Sequence, residues 1–474
     1  MLLLPALSIA FITGLLLVSV LWPDKELSTP CGVMKCSLAV GLGFGVSSVL
    51  FFVWLVIQGF RVGFLSFVIL EIAVLCLAFL GWFRKRERHE TFCHAPESAP
   101  KTKLILSITL FFYCALIVAV LSFILMALKN PHGGWDAWAI WNLKARFLFR
   151  GTDHWTDIFS KTIAHPDYPL LLPGFIARCW KYVGSETTLA PIAVSFLFTF
   201  ATAGLLCASL SILRSRAQAF LAGLVLLAAA PFLIMHGVIQ YADTPLSFFF
   251  LACVILFCLN DKSGTEYRHA FLVLAGMAAG CAAWTKNEGL LFLVSIVAVR
   301  FLVIVPTKGL KEYVLQMGRF MAGALPFLIT VGYFKMRFAL SNELIASQNF
   351  GAILGKISDP SRYLLILKAF AIVLSRIGFQ FIGTIPVMAV YLLLVGVKVK
   401  RGDGPILMTC FATLLFMMAG YFFVYVITPE DLAWHLNTSL VRLMLQLWPT
   451  LLFALFMAAK TPEDMALSSR PDVS

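Results

Sequence analysis

Long apolar runs and short polar interruptions alternate along almost the whole chain. Apolar runs of eighteen or more residues recur, which is what a helix needs to cross the hydrocarbon layer of a bilayer. Read as spans, they fall roughly at 2–21, 37–58, 63–83, 104–127, 187–212, 217–236, 244–259, 270–284, 289–305, 317–336, 377–397, 405–427 and 441–459. Runs this long and uniformly apolar predict helices rather than barrel strands, because each span must satisfy its own backbone hydrogen bonds. The expectation is an all-α polytopic membrane protein with about thirteen transmembrane helices. A large first loop on the outer side, residues 128–186, contains interfacial helices. No internal repeat and no soluble domain is visible. The opening run, "MLLLPALSIAFITGLLLVSVLW", has no basic stretch before it and no small-residue cleavage site, so it reads as a retained first span.

Composition agrees. The chain has 474 residues, 60% of them hydrophobic and 13% charged, against about 25% charged in ordinary soluble proteins. The formal charge of +13 is best placed in loops that set topology. No basic domain interleaved with aromatics is present, which excludes nucleic acid as a partner. The eleven cysteines are scattered, mostly in apolar runs, and form no CxxC. They read as small buried hydrophobes rather than as a disulfide or zinc framework.

Basic residues orient the spans. Arg84, Lys85, Arg86, Arg88, Lys101 and Lys103 crowd one short loop, which is therefore cytoplasmic. Alternating from it, the short basic loops at 214–216, 261–269, 306–313 and 398–404 fall on the same side. The other side receives 128–186, 237–243, 285–288, 337–376 and 428–440. Trp135, Trp138, Trp141, Trp155, Trp180, Trp284 and Trp434 all lie there, with nearly every unusual polar motif. Motifs distant in sequence thus converge on one membrane face.

Each motif has a plain structural reading beside a functional one. "GGWDAWAIWNLKARFLFRG", 133–151, predicts a helix along the interface, with Trp138, Trp141, Ala145 and Phe149 on one stripe and Asn142, Arg146 and Arg150 on another. Asp136 opens it, either as an N-cap or as a carboxylate that binds or activates a ligand. No Glu or Gln follows three residues later to complete a capping box. In "HPDYPLLLPG", 165–174, three prolines forbid a regular helix and hold His165, Asp167 and Tyr168 on a stiff turn, or simply return the chain to the bilayer. "QYADTPLSFFF" starts a span, where Asp243 after Tyr241 reads first as a cap. "AAWTKNEGLLF" puts Lys286 and Glu288 between two spans; the lysine either snorkels to headgroups or binds a phosphate. His435 and Arg442 are seven residues apart, two turns on one helix face, with Arg442 at the start of the last span. A charge there is costly unless paired or near water, and a phosphate would compensate it. Arg376 and Gln380 are weaker candidates of that kind. Glu71, inside the third span, has no assigned role beyond pairing with another helix.

Together, "WDAW", "HPDYP", "YADTP" and "KNEG", in this order on one side, resemble the GT-C superfamily of membrane glycosyltransferases. The likeness is greatest to the branch holding protein O-mannosyltransferases and lipid A aminoarabinose transferases. It covers roughly 104–450. Three spans precede it, Ala137 stands where the family often has Glu, and Asp167 stands where proline is commoner. The resemblance implies three regions: accessory spans and a basic loop at 1–103, a catalytic module at 104–460, and a cytoplasmic tail at 461–474. It implies transfer of a sugar from a polyprenyl-phosphate donor to an envelope lipid, glycan or protein, with inversion, at a bacterial inner membrane and on its outer face. Asp136 is the expected base and Asp167 its partner or substitute, because an acceptor hydroxyl must lose its proton as the bond forms. Lys286 and Arg442, supported by Arg146 and His435, are expected to stabilise the leaving phosphate. Trp135, Trp138, His165, Tyr168, Tyr241, Asp243 and Glu288 are expected to line the substrate. No metal or other cofactor is required, although Asp136, Asp167, His165 and Glu288 carry donors for a divalent ion. The alternatives are a transporter or flippase of an anionic lipid or solute, and a polymerase or ligase acting on a lipid-linked glycan.

Overall fold

The computed structural model describes residues 2–22, 28–58, 63–85, 102–151, 154–228, 230–263, 268–340, 348–377, 383–399 and 402–468. Within them the chain is helical. The order is α1 (Leu3–Leu21), α2 (Thr29–Gln58), α3 (Leu65–Lys85), α4 (Lys103–Lys129), a π-helical turn (Ala137–Trp141), α5 (Asn142–Arg150), a 3-10 turn (Trp155–Phe159) and α6 (Leu171–Val183). Then follow α7 (Leu189–Leu213), α8 (Arg216–Ala228), α9 (Ala230–Val238), α10 (Asp243–Lys262), α11 (Arg268–Thr285) and α12 (Asn287–Arg337). The last are α13 (Phe350–Ile357), α14 (Pro360–Arg376), α15 (Thr384–Val395), α16 (Gly404–Ile427), α17 (Leu432–Ala458) and α18 (Pro462–Ser468). Among the described residues, nine helices are long and apolar enough to cross a membrane. This is a polytopic helical membrane architecture.

Helix α10 is the centre. Its apolar window is wholly buried, as befits a helix that is hydrophobic all round. It packs on α7, α11, α16 and α17. By contrast α3 and α4 are mostly exposed along their apolar windows and form the rim. Without a hydrophobic drive inside lipid, such helices associate through close backbone approach at small residues. The α1–α2 crossing is of that kind: a Cβ on Gly43 would stand 2.1 Å from the Ala10 carbonyl oxygen.

Several boundaries differ from the sequence reading. Of the run read as one span at 217–236, residues 216–228 and 230–238 are helical, and residue 229 lies outside the described residues. The runs at 289–305 and 317–336 are two helices, as read, carried within α12 and joined at Gly309, whose φ of 84° suits glycine. The chain reverses there: Arg300 bonds Gln316 at 3.0 Å, whereas a straight helix would set residues sixteen apart about 24 Å from each other. The stretch 337–376, read as a loop, contains α13 and α14. The run at 377–397 is ordered as the shorter α15; residues 378–382, with Gln380, lie outside the described residues. Helix α17 starts at Leu432, so Arg442 sits almost three turns inside it rather than at its start. Cys31 is disulfide-bonded, against the reading of the cysteines as buried hydrophobes alone.

Charges gather at the two ends of the bundle. At one end, Asp403 pairs with Arg214 (3.4 Å) and Lys262 (2.5 Å), and Arg214 donates to the Lys398 and Ala459 carbonyls. Glu463 and Asp464 of α18 bond Ser215 and Lys398, so the start of the tail is docked. The loops at 214–216, 261–269 and 398–404, assigned to one side from their basic residues, therefore meet. Segments assigned to the opposite side meet at the other end, described next.

Two further charge groups are buried. Arg178 of α6 makes a two-pronged pair with Glu71 of α3 (2.7 and 2.9 Å), while Tyr182 also donates to Glu71 and Arg178 donates to the Ala6 carbonyl. Glu71 thus finds its partner. Arg300 of α12 is likewise forked onto Asp261 (2.7 and 2.9 Å) and bonds Thr409 of α16.

Candidate functional site

The site is built where α4 gives way to the π-helical turn. Gly133, with φ of 71°, turns the chain out of α4. The Gly134 amide then bonds the Ile239 carbonyl at 2.9 Å. Gln240 ties the same two segments: its amide donates to the Pro131 carbonyl and accepts from Asn142. Gln240 holds a φ of 60°, and His165 a φ of 50°. Both are left-handed conformations that cost a non-glycine residue energy, and such strain gathers at functional sites.

This lacing delivers Asp136 to Arg442. Asp136 makes no side-chain capping bond; instead its Oδ2 accepts from Arg442 at 2.5 Å. The N-cap reading therefore falls. Arg442 also donates from Nε to Asp243 at 3.0 Å and lies over the Tyr241 ring, 4.5 Å from its centroid. Asp243 does not cap α10 either. It accepts from Arg442, from Lys286 (3.1 Å) and from Gln446 (2.5 Å), with none of its side chain exposed. Tyr421 orients that Gln446 amide by donating to its oxygen at 2.6 Å. Lys286 completes the group by pairing with Glu288 at 2.7 Å. Only 6% of its side chain is exposed, so it does not snorkel. Burial opposes its charge, but Asp243 and Glu288 outweigh that and hold the ammonium more firmly protonated than usual.

The result is two cations side by side over one buried carboxylate, with Asp136 and Glu288 on their flanks. Their side chains are 12% and 18% exposed, so the group is reachable. Two cations held together in this way are suited to a doubly coordinated oxyanion such as phosphate.

The proline-rich turn adds a wall. Tyr168 stacks between Trp141 (5.6 Å) and His165 (4.6 Å), and Lys286 faces its ring at 5.7 Å. Burial pushes the Tyr168 phenol well up from its ordinary value. Lys144, wholly buried, holds this turn by donating to the His165 and Tyr168 carbonyls at 2.7 and 3.2 Å. Asp167 points elsewhere: it accepts from Asn287 (2.7 Å) and Lys335 (3.2 Å), and Lys335 also bonds the Asp167 carbonyl and the Asn287 amide oxygen. Asp167 thus clamps the turn to both ends of α12.

The other expected residues are placed as follows. Trp135 and Trp138, flanking Asp136, stay about half exposed and touch edge to face at 6.0 Å. His435 bonds Thr428 at 2.8 Å and lies against Tyr425, and does not join the Asp243 group. Arg146 is drawn away to Glu186 at 3.3 Å, which Arg150 also grips. Asp136, Asp167 and Glu288 each turn to a different cation, and no group of three His, Cys, Asp or Glu able to hold a metal occurs among the described residues.

Lys144, Gln240, Lys335 and Gln446 were missed in the sequence. For Gln446 a signal existed: it is the polar residue of "LMLQLWP", one turn after Arg442. Lys144, Gln240 and Lys335 carry no such mark. Compared with family models, with curated proteins and with solved structures, the chain gives no match.

Proposed function

We propose that this chain is a membrane glycosyltransferase that moves a sugar from a polyprenyl-phosphate donor to an envelope lipid, glycan or protein. The reading follows the GT-C resemblance of the four motifs. One observation carries it: Asp136, Asp243, Lys286, Glu288 and Arg442, drawn from four segments spread over 300 residues, form one reachable group with two cations beside a base.

In this reading the acceptor hydroxyl attacks the anomeric carbon from the face opposite the phosphate. The carbon–oxygen bond to phosphate breaks and its electron pair leaves on the phosphate oxygen. Arg442 and Lys286 stabilise that charge, and Asp136 takes the acceptor proton. Asp243 holds both cations in register. Asp167 positions the turn that carries His165 and Tyr168, rather than acting as a second base. Tyr168, Tyr241, Trp135 and Trp138 offer ring faces to sugar and acceptor. Arg146 and His435 stand aside from the phosphate. An apolar groove of about 580 Å³ between α14 and α16, lined by Leu367, Phe370, Leu415 and Phe422, offers a path for the isoprenoid tail. A comparable groove of about 670 Å³, lined by Leu293, Val297, Phe301, Tyr313 and Phe416, lies between α12 and α16.

The same reading divides the chain into accessory spans at 1–103, a catalytic module at 104–460 and a cytoplasmic tail at 461–474, with about thirteen spans in all. It places the chain in a bacterial inner membrane with the Asp243 end outward. No metal is required, because the cation pair supplies the charge.

The test is envelope glycan and glycolipid mass spectrometry of a deletion strain. One sugar mass should vanish on deletion and return with the wild-type gene. It should stay reduced at least about a hundredfold with a stably inserted Asp136→Asn protein. Full restoration by Asp136→Asn would remove Asp136 as the base. No glycan change on deletion would turn attention to the transporter reading, to which the buried Glu71–Arg178 pair lends some weight.

A further inference from the structure

The Asp243 group holds three carboxylates against two cations, and the three are not equivalent. Asp243 is fully buried with three donors from α17 and the Lys286 turn. Asp136 and Glu288 are partly exposed, and each makes its recorded ion pair with a single cation, Asp136 with Arg442 and Glu288 with Lys286. Asp136 sits on a segment carried by a tight glycine turn, a π-helical turn and the strained Gln240 loop. Glu288 lies in the first turn of α12.

We propose that Asp136 and Glu288 are displaceable covers on the cation pair, and that an arriving phosphate ester removes them while Asp243 stays as the fixed counter-ion. This rests on the transferase reading above. Adding a singly charged phosphodiester beside all three carboxylates would leave four negative charges on two cations in a poorly hydrated site, which is unfavourable. Turning Asp136 and Glu288 out to water relieves it. Phosphate and Asp136 then compete for the same guanidinium face. Until the donor arrives, Oδ2 of Asp136 is committed to Arg442 and is not available to an acceptor. Donor binding therefore frees the base, and acceptor activation waits for the donor.

The consequence is counter-intuitive for a catalytic carboxylate: removing its charge should tighten lipid-phosphate binding. The experiment uses the full chain in nanodiscs. A C15 polyprenyl monophosphate and, separately, inorganic phosphate are titrated by calorimetry into wild type, Asp136→Asn, Glu288→Gln and Asp243→Asn. Asp136→Asn and Glu288→Gln should each bind about tenfold more tightly than wild type, and Asp243→Asn more weakly. Tightening with the lipid probe alone identifies a lipid-borne phosphate, and tightening with both identifies the free anion as sufficient; either supports displacement. If wild type binds and both cover variants bind equally or more weakly, displacement is wrong and the transferase reading survives. If no protein binds either probe, the transferase reading falls and displacement with it. Should the variants misfold, hydrogen exchange of wild type decides. Residues 133–141 should lose protection with saturating lipid phosphate, and unchanged protection overturns the proposal.

Discussion

At the scale of single residues, this protein uses charges in two ways. Glu71 and Arg178 are both essentially sealed from solvent and fully bonded to each other. A buried pair of this kind contributes little net stability, yet removing one partner leaves an uncompensated charge that costs roughly 3–5 kcal/mol. Glu71→Ala should therefore lower the melting temperature in detergent sharply. The double variant Glu71→Leu with Arg178→Met should recover most of the loss, and a double variant as unstable as the single would show that the pair does more than neutralise itself. Arg442 is the other kind: one guanidinium shared between Asp136 and Asp243, with a fifth of its side chain open. Sharing leaves it stable and still accessible. Lys335 shows a third use, as a tether. Lys335→Met should leave the bundle folded but loosen 161–170, so that trypsin cuts at Lys161 faster than in wild type.

At the scale of elements, the chain departs from simple spans where it must turn or approach closely. Gly309 lets α12 double back, and no side chain tolerates its φ of 84° well. The α1–α2 crossing needs Gly43 for a different reason, backbone contact. Gly43→Leu should separate the two helices and reduce the yield of folded protein, while Gly309→Ala, which meets open space and bears only the backbone strain of a φ of 84° with ψ of 167°, should be milder. Size-exclusion profiles after identical extraction would rank them; equal damage would refute the distinction. The π-helical turn at Ala137–Trp141 matters too. It keeps Asp136 at a helix start without a capping bond, so its carboxylate is spent on Arg442 instead.

At the scale of the whole molecule, polar chemistry is divided between the ends of an apolar bundle. The Asp403 end joins basic loops and the docked tail; the Asp243 end joins the motif-bearing segments. If the basic loops face the cytoplasm, cysteines introduced at exposed Trp135 or Trp434 should react with a membrane-impermeant maleimide in intact spheroplasts. A cysteine at Lys460 should react only after lysis, with wild type as background. The reverse pattern would invert the topology and place the site on the cytoplasmic side.

How much of this was legible beforehand depends on the range of the physics. The helical, membrane-spanning character was readable because it follows from local hydropathy, which acts along the chain. The motif residues Asp136, Tyr168, Tyr241, Asp243, Lys286, Glu288 and Arg442 stood out because polar groups are costly near a bilayer and so are sparse. Their roles did not. Asp136 and Asp243 have the local signature of caps, and only the packing of α17 against α10 turned both toward Arg442. Arg146, expected in support, and Asp167, expected as partner or substitute base, are claimed instead by Glu186 and Lys335. Lys144 and Lys335 resemble any helix-end lysine until the fold buries them against carbonyls. Hydropathy along the chain decided what the protein is made of; partner choice among charges needs distances, and those came only from the tertiary structure.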